Sequence, residues 1–103
     1  MIENHGTPFS VPASGGSTTS AYYSGTTNQL LYVTDISASS SGTMGTWYLY
    51  LDQGTTVLWA GSGTVNYRFS EPIRVTKGHG VSLFANGTTA TFANISGFYI
   101  AVA

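Results

Sequence analysis

Apolar residues recur at every second position along much of this chain, which is the spacing expected for β-strands with one buried face. In the run VNYRF, which begins at Val65, each apolar side chain is followed by a polar one, and IRV at Ile73 behaves in the same way. Such runs recur about every 8–12 residues, with Gly, Pro, Asn and Ser between them. The pattern therefore predicts an all-β domain, and strands with one solvated face favour an antiparallel β-sandwich.

Eight runs have the composition of strands and are bounded by turn residues. They are residues 29–37, 47–51, 57–60, 64–70, 72–76, 81–85, 89–95 and 98–103. Asn86 and Gly87 accept positive φ, so they predict a tight type I′ hairpin between the two strands beside them. Pro72 has no N–H for a ladder and is expected to begin a strand or to lie at the edge of a sheet.

Two of these runs, 47–51 and 98–103, are apolar on both faces. In the first run, Tyr48 and Tyr50 are expected on the face opposite to Trp47. Three arrangements are possible for this second face. The N-terminal segment could fold over it, or other subunits could pack there. Alternatively, the tyrosines could face solvent, since strands favour Tyr and its hydroxyl tolerates water. A large open apolar patch is unusual on a monomer, so oligomerisation is the favoured interpretation.

The beginning of the chain differs from the rest in composition. Residues 1–28 hold two of the three prolines and many Gly, Ser and Thr residues, so they are predicted to form an extended N-terminal arm ahead of a β-sandwich domain over 29–103. Such a segment is often a mobile terminus. Aromatic residues are rare in sequences that stay disordered, which favours an arm that docks on a neighbouring chain. The residues predicted to dock are Phe9, Val11, Tyr22 and Tyr23.

Charged side chains are scarce, with three basic and four acidic residues and a formal net charge of −1. The polar surface comes instead from 13 Ser, 15 Thr and 13 Gly residues. Little charge repulsion opposes association of such a surface, which suits a protein that ends in an assembly.

The same composition excludes several classes of function. The basic residues are few and scattered, so neither nucleic acid nor a membrane is predicted as a partner. The chain has no cysteine, so it has no disulfide framework. No apolar stretch approaches the length of a membrane span. The N-terminus lacks the pattern of a signal peptide, so synthesis in a cytoplasm is expected.

The acidic residues do not suggest an enzyme, because acid–base catalysis needs paired titratable groups in a cleft. Asp52 lies in a predicted turn, where Asp commonly bonds the nearby backbone. Asp35 lies in a strand and, if it faces the core, needs Arg68, Arg74 or backbone N–H groups as partners. The prediction is a protein without catalytic residues.

The two histidines, His5 and His79, are isolated from each other in the sequence. His79 is most simply a loop residue between glycines, and two such residues do not make a zinc site. Three copies of one histidine could share a metal on an oligomer axis, but this is a minor alternative. No cofactor and no metal are predicted.

A carbohydrate-binding role competes with the structural one, because Trp47, Trp59 and the tyrosines could form a sugar-stacking platform on a β-sandwich. That role requires exposed rings flanked by polar side chains. The runs 47–51 and 57–60 flank the turn residues Asp52 and Gly54 and so predict a second hairpin, whose rings are interleaved with leucines. This favours packing against protein.

Four sequence features within residues 29–103 resemble those of a known family. They are the strand YVTDI, the hairpin L-D-x-G-x-x-V-L-W, the segment F-S-x-P-I-x-V-x-x-G and the closing G-F-Y. In this layout the chain resembles small tailed-bacteriophage virion proteins, namely capsid decoration (cement) proteins of jelly-roll type. Phage tail-tip and fibre domains share the same architecture.

The resemblance implies a structural virion protein on the outer capsid surface, present as a homotrimer that binds the major capsid protein and stabilises contacts between capsid subunits. The alternative is a glycan- or receptor-binding β-sandwich module of a tail fibre or tail tip. From the residues themselves, the side chains predicted to make the subunit contact are Trp47, Tyr48, Tyr50, Trp59, Phe98 and Tyr99.

Overall fold

A computed structural model describes residues 6–54 and 56–101 of the chain. Almost all of this part is strand or tight turn. The strands are β1 (Thr7–Gly15), β2 (Thr18–Tyr23), β3 (Gln29–Ser40), β4 (Met44–Leu51), β5 (Thr56–Ser62), β6 (Val65–Arg74), β7 (Val81–Gly87) and β8 (Thr91–Ala101).

The strands form two four-stranded antiparallel sheets that pack face to face, so the predicted β-sandwich is confirmed. Sheet I has the strand order β1-β8-β3-β6, and sheet II has the order β2-β7-β4-β5. Within the described residues, β4 and β5 are the only consecutive strands that pair with each other. Every other connection carries the chain from one sheet to the other.

The core lies between the sheets and is built mainly by their central strands. Fully buried side chains include Leu31 of β3, Leu49 of β4, Leu83 of β7 and Ile95 of β8. Period-2 alternation places these residues on the inner faces, where aliphatic side chains of the two sheets meet.

The central positions of β4 and β8 explain much of their apolar character on both faces. Strand β4 lies between β7 and β5, and β8 lies between β1 and β3. A side chain on the outer face of a central strand is flanked by cross-strand neighbours on both sides, which remove part of its surface from water. Tyr48, Tyr50 and Phe98 are accordingly half-buried within the single chain.

The tight hairpin predicted at Asn86 and Gly87 is wrong. Both residues belong to β7, where Asn86 pairs with Thr18 and Gly87 pairs with Met44. The Gly87 N–H donates to the Ser17 carbonyl oxygen at 2.7 Å. Ladder bonds to both neighbouring strands therefore override the local turn preference, and the chain crosses to the other sheet only after Gly87.

Two pairs of predicted strands are each a single strand in the structure. Residues 64–70 and 72–76 merge largely into β6, and 89–95 and 98–103 merge into β8 as far as Ala101. Pro72 is tolerated because β6 is an edge strand, as the sequence predicted for this proline. Gly97 lies within β8, next to the point where the register between β3 and β8 shifts. There the backbone of β3 comes close to Gly97.

Residues 1–28 were predicted to form an arm separate from the sandwich, and this needs correction. Residues 7–23 form β1 and β2, which are edge strands of sheet I and sheet II respectively. The rings of Phe9 and Tyr23 stack at 4.4 Å between centroids and join the two sheets on this side. Residues 1–5 of the predicted arm lie outside the described residues.

The close approach at Gly97 gives a first testable prediction. A Cβ at Gly97 would overlap the carbonyl oxygen of Tyr32 on the neighbouring strand. Overpacking of this kind costs about 1–3 kcal/mol, so Gly97→Ala should lower the free energy of unfolding in urea by about 2 kcal/mol.

Gly16→Ala is the matched control, because a Cβ there meets nothing within 4 Å. It should be neutral or stabilise by up to about 1 kcal/mol, since Ala restricts the unfolded chain. Equal effects of the two substitutions would contradict the close approach of β3 and β8 at Gly97.

Candidate functional site

The outer face of sheet II carries aromatic rings contributed by three adjacent strands. Tyr22 comes from β2, Phe84 from β7, and Tyr48 and Tyr50 from β4. Their inward-pointing chain neighbours are in the core, so period-2 alternation directs these four rings outward. We call these four residues the aromatic face.

The register places each ring of the aromatic face beside at least one small side chain. One row runs Tyr22, Ser82, Tyr50, Val57, and the next runs Ser20, Phe84, Tyr48, Ala60. The first row alternates rings with smaller residues, whereas Phe84 and Tyr48 are direct neighbours in the second. Ser82 is only 4% exposed although it points outward, because the flanking rings cover it.

The rings also contact one another along the strands. Tyr48 and Tyr50 stack with 5.7 Å between their centroids. A shallow depression of about 270 Å³ remains between β2, β7 and β4, lined by Ser20, Tyr22, Tyr50, Gln53, Ser82 and Phe84. The aromatic face is thus a continuous but indented apolar surface with hydroxyl groups among the rings.

No strand of sheet II contains a charged residue. The charged residues that the structure describes lie on β3, on β6, or in the connections at one end of the sandwich. A face of four rings without one charge on its own sheet has nothing to repel an apolar partner.

A second ring cluster lies along the side of the sandwich where edge strands β5 and β6 meet. Trp59 of β5 stacks with Tyr67 of β6 at 6.2 Å and makes an edge contact with Phe69 at 5.4 Å. Trp59 is 44% exposed and Tyr67 is 43% exposed, so the cluster closes this side only partly. Val57, which is 49% exposed, extends the aromatic face towards this side.

The residues predicted for a subunit contact do not form one surface. Tyr48 and Tyr50 lie on the aromatic face, and Trp59 lies on the adjoining side of the sandwich. Phe98 lies on the outer face of sheet I, where it stacks on Tyr32 at 4.9 Å.

Trp47 and Tyr99 point inward, so their predicted role in a subunit contact is corrected. Trp47 is 5% exposed and belongs to the core, because it lies on the same face of β4 as Leu49. Tyr99 packs against the core and lies 6.3 Å from the ring of Tyr23. Rings that the chain itself covers have little surface left for a neighbour.

The four predicted docking residues divide in the same way. Phe9, Val11 and Tyr23 are partly buried and pack against the core of their own chain. Tyr22 alone points outward, onto the aromatic face. Sequence reasoning missed Phe84, although the run VSLFA carries a signal: Phe84 lies out of phase with Val81 and Leu83, on the face left for solvent.

Asp52 and His79 form a short polar contact. It lies at the end of the sandwich opposite to the β7–β8 connection. Asp52 adopts φ 56° in the β4–β5 turn, and its Oδ2 lies 2.6 Å from His79 Nδ1. A carboxylate only accepts, so the ring nitrogen donates. The Asp52 Oδ1 also accepts from the Gly80 N–H at 2.8 Å.

The contact has an electrostatic consequence. The hydrogen bond from His79, with that from the Gly80 N–H, lowers the pKa of the Asp52 carboxyl below its usual 3.8. Both side chains are nearly half exposed, and no third acidic, His or Cys side chain among residues 6–54 and 56–101 joins them. The pair ties the β4–β5 turn to the β6–β7 connection, which is a structural role.

Asp35, the acidic residue that the sequence places in a strand, lies on β3. Asp35 points to the outer face of sheet I, and its Oδ2 lies 3.4 Å from Nε of Arg68. Such an exposed pair contributes little to stability. In the part of the chain that the structure describes, no three His, Cys, Asp or Glu side chains are grouped so that they could hold a metal ion. His5 lies outside that part.

Comparison with known proteins gives no relative: no protein-family model, no curated protein and no solved structure matches this chain. Among the described residues there is also no helix that is long and apolar enough to span a membrane. Any function must therefore be argued from the surfaces described above.

The Asp52–His79 contact predicts a pH-dependent contribution to stability. The pKa of folded Asp52 is lowered from 3.8, so its stabilisation is present above that pH and is lost as pH falls through the folded-state pKa. Asp52→Asn keeps a residue that tolerates positive φ but removes the charge. Near neutral pH it should lower the free energy of unfolding by about 1 kcal/mol, and this difference should shrink below pH 3.8.

Glu71→Gln serves as the control, since it removes a carboxylate from an exposed position away from this turn. It should change the free energy of unfolding by less than about 0.5 kcal/mol near neutral pH. A loss in Asp52→Asn that is the same in acid as at neutral pH would show that the charge of Asp52 does not stabilise the fold.

Proposed function

We propose that this protein is a structural virion component: a capsid decoration, or cement, protein that binds the outer surface of a tailed-phage capsid as a homotrimer. The observation that carries the proposal is the aromatic face, which lies on a sheet without a single charged residue. In this role the protein stabilises contacts between capsid subunits and has no catalytic task.

The strand order supports a jelly-roll assignment. The orders β1-β8-β3-β6 and β2-β7-β4-β5 place each strand of one sheet opposite its successor or predecessor in the other. An eight-stranded jelly roll arranges two Greek keys in two packed sheets, and viral capsid domains use this architecture. The assignment also agrees with the family that the sequence resembles.

The subunit contact is assigned to the aromatic face together with Trp59. A stable protein contact hides roughly 800 Å² on each partner, more than a single ring provides. Val57 connects Tyr50 on the aromatic face with the side of the sandwich where Trp59 lies, so one partner could cover both. Burial there would contribute about 25 cal/mol per Å² of apolar surface.

The major capsid protein is the proposed partner of the trimer. Tyr22 is the one predicted docking residue that points outward, at the β2 edge of the aromatic face. Its edge position leaves it at the rim of the proposed subunit contact, where a second protein could reach it.

A charge placed in the proposed contact tests it directly. Val57→Lys puts an ammonium group into the apolar contact, where its desolvation opposes association. The fold should tolerate the change because Val57 is 49% exposed on an edge strand. By light scattering, the wild type should have three times the 10.8 kDa chain mass. The variant should need at least about tenfold higher concentration to associate, or about 1.4 kcal/mol.

Phe92→Lys is the matched control: it adds the same charge at a residue that is 47% exposed, but on the outer face of sheet I. It should associate like the wild type. Peptide mapping of purified virions by mass spectrometry should find the protein on the particles. A wild type that stays monomeric and is missing from virions would overturn the proposal.

A further inference from the structure

We infer that the outer face of sheet I carries a binding site for a neutral saccharide, centred on Phe92. This inference does not depend on the proposed function, because the residues concerned lie on the opposite sheet from the aromatic face.

The first observation is the exposure of Phe92. Its side chain is 47% exposed although β8 is a central strand with neighbours on both sides. The residues directly opposite explain this exposure: Phe92 pairs with Ser14 on β1 and with Ser39 on β3. Small side chains on both sides leave the ring accessible above the sheet.

The adjacent row of residues supplies polar groups next to the ring. Asn94 follows Phe92 on the same face of β8 and lies between Pro12 on β1 and Ser37 on β3. Together these two rows line an open depression of about 500 Å³, within the range usual for small-molecule sites. We call it the serine depression; its side chains are Pro12, Ser14, Ser37, Ser39, Phe92 and Asn94.

The Asn94 amide is held in place by neighbours outside the depression. Its Oδ1 accepts from Ser10 Oγ at 3.2 Å, and its Nδ2 donates to Ser96 Oγ at 3.0 Å. Ser96 Oγ in turn donates to Ser10 Oγ at 3.3 Å. One N–H and one lone pair of the amide remain for a ligand, in a fixed orientation.

The serine hydroxyls are uncommitted. Across residues 6–54 and 56–101, no side chain or backbone group bonds the hydroxyls of Ser14, Ser37 or Ser39. Each hydroxyl can either donate or accept. The serine depression therefore offers donors and acceptors in mixed order around one ring.

This combination fits a sugar better than other ligands. A pyranose has an apolar face of C–H groups, which can lie against an aromatic ring, and an edge of hydroxyls, which can bond serine and asparagine. No side chain that lines the depression is charged, so nothing there recognises phosphate or carboxylate. Asp35 and Arg68, on the same outer face, are paired with each other. A single ring is also too small an apolar anchor for a protein partner.

The test uses the full-length protein and a panel of neutral mono- and disaccharides built from glucose, galactose, mannose and N-acetylglucosamine. Amide chemical-shift changes in NMR spectra report which residues respond. We expect at least one sugar to shift the amides of residues 37–39 and 92–94, with saturation at millimolar concentrations, as expected for one ring and a few hydrogen bonds.

Phe92→Ala should weaken this binding by at least about tenfold, whereas Phe92→Tyr should retain it, because the second variant keeps the ring. Tyr67→Ala is the matched control, since it removes another exposed ring of sheet I that does not line the serine depression. It should bind like the wild type. Folding of each variant is checked from its dispersed amide spectrum.

Three outcomes would overturn the inference. The first is that no sugar of the panel shifts these amides. The second is equal binding by Phe92→Ala and Tyr67→Ala. The third is that glucuronic acid, tested beside the neutral panel, binds when no neutral sugar does, which would place the ligand near a cation and not at the serine depression. Loss of trimer formation has no bearing on these readouts, so the two proposals fail separately.

Discussion

The face-to-face contact of the two sheets is the constraint on which the rest of the molecule depends. Leu31 and Ile95 of sheet I meet Leu49 and Leu83 of sheet II in a layer of aliphatic side chains, and burial of each contributes about 1.5–3 kcal/mol. Because the inner faces are fixed in this way, strict alternation decides which residues point outward. The aromatic face and the serine depression are therefore both consequences of how the core is packed.

Period-2 patterning predicted most of the strands but not their connections. The patterns of 29–37 and 81–85 sufficed for β3 and β7 because their inner residues are aliphatic without interruption. β1 was missed because an edge strand tolerates the Pro8 and Pro12 that make a segment resemble a loop. β2 was missed because it begins with Thr and Ser residues that follow two glycines, which is also a loop-like composition. The turn preference of Asn86 is local, whereas the ladders that override it come from residues far away in sequence.

The candidate site was predictable only in part, for a physical reason. A strand that is apolar on both faces has the same pattern whether its outer face meets a partner or only its neighbours in the sheet. Tyr48 and Trp47 could be assigned to opposite faces, but the sequence did not show that Trp47 faced the core. Phe92 was overlooked because its exposure depends on Ser14 and Ser39, which reach it only through strand pairing.

The three prolines are all on the edges of sheet I: Pro8 and Pro12 on β1, and Pro72 on β6. The edges of sheet II, β2 and β5, have neither proline nor charge, although β5 carries a bulge where its register against β4 shifts. β2 therefore lacks proline, charge and bulge alike, which are the features that commonly protect an edge strand. If a strand of a neighbouring or misfolded molecule adds to this sandwich by backbone pairing, we expect it at β2 of sheet II and not at the proline-bearing edges of sheet I.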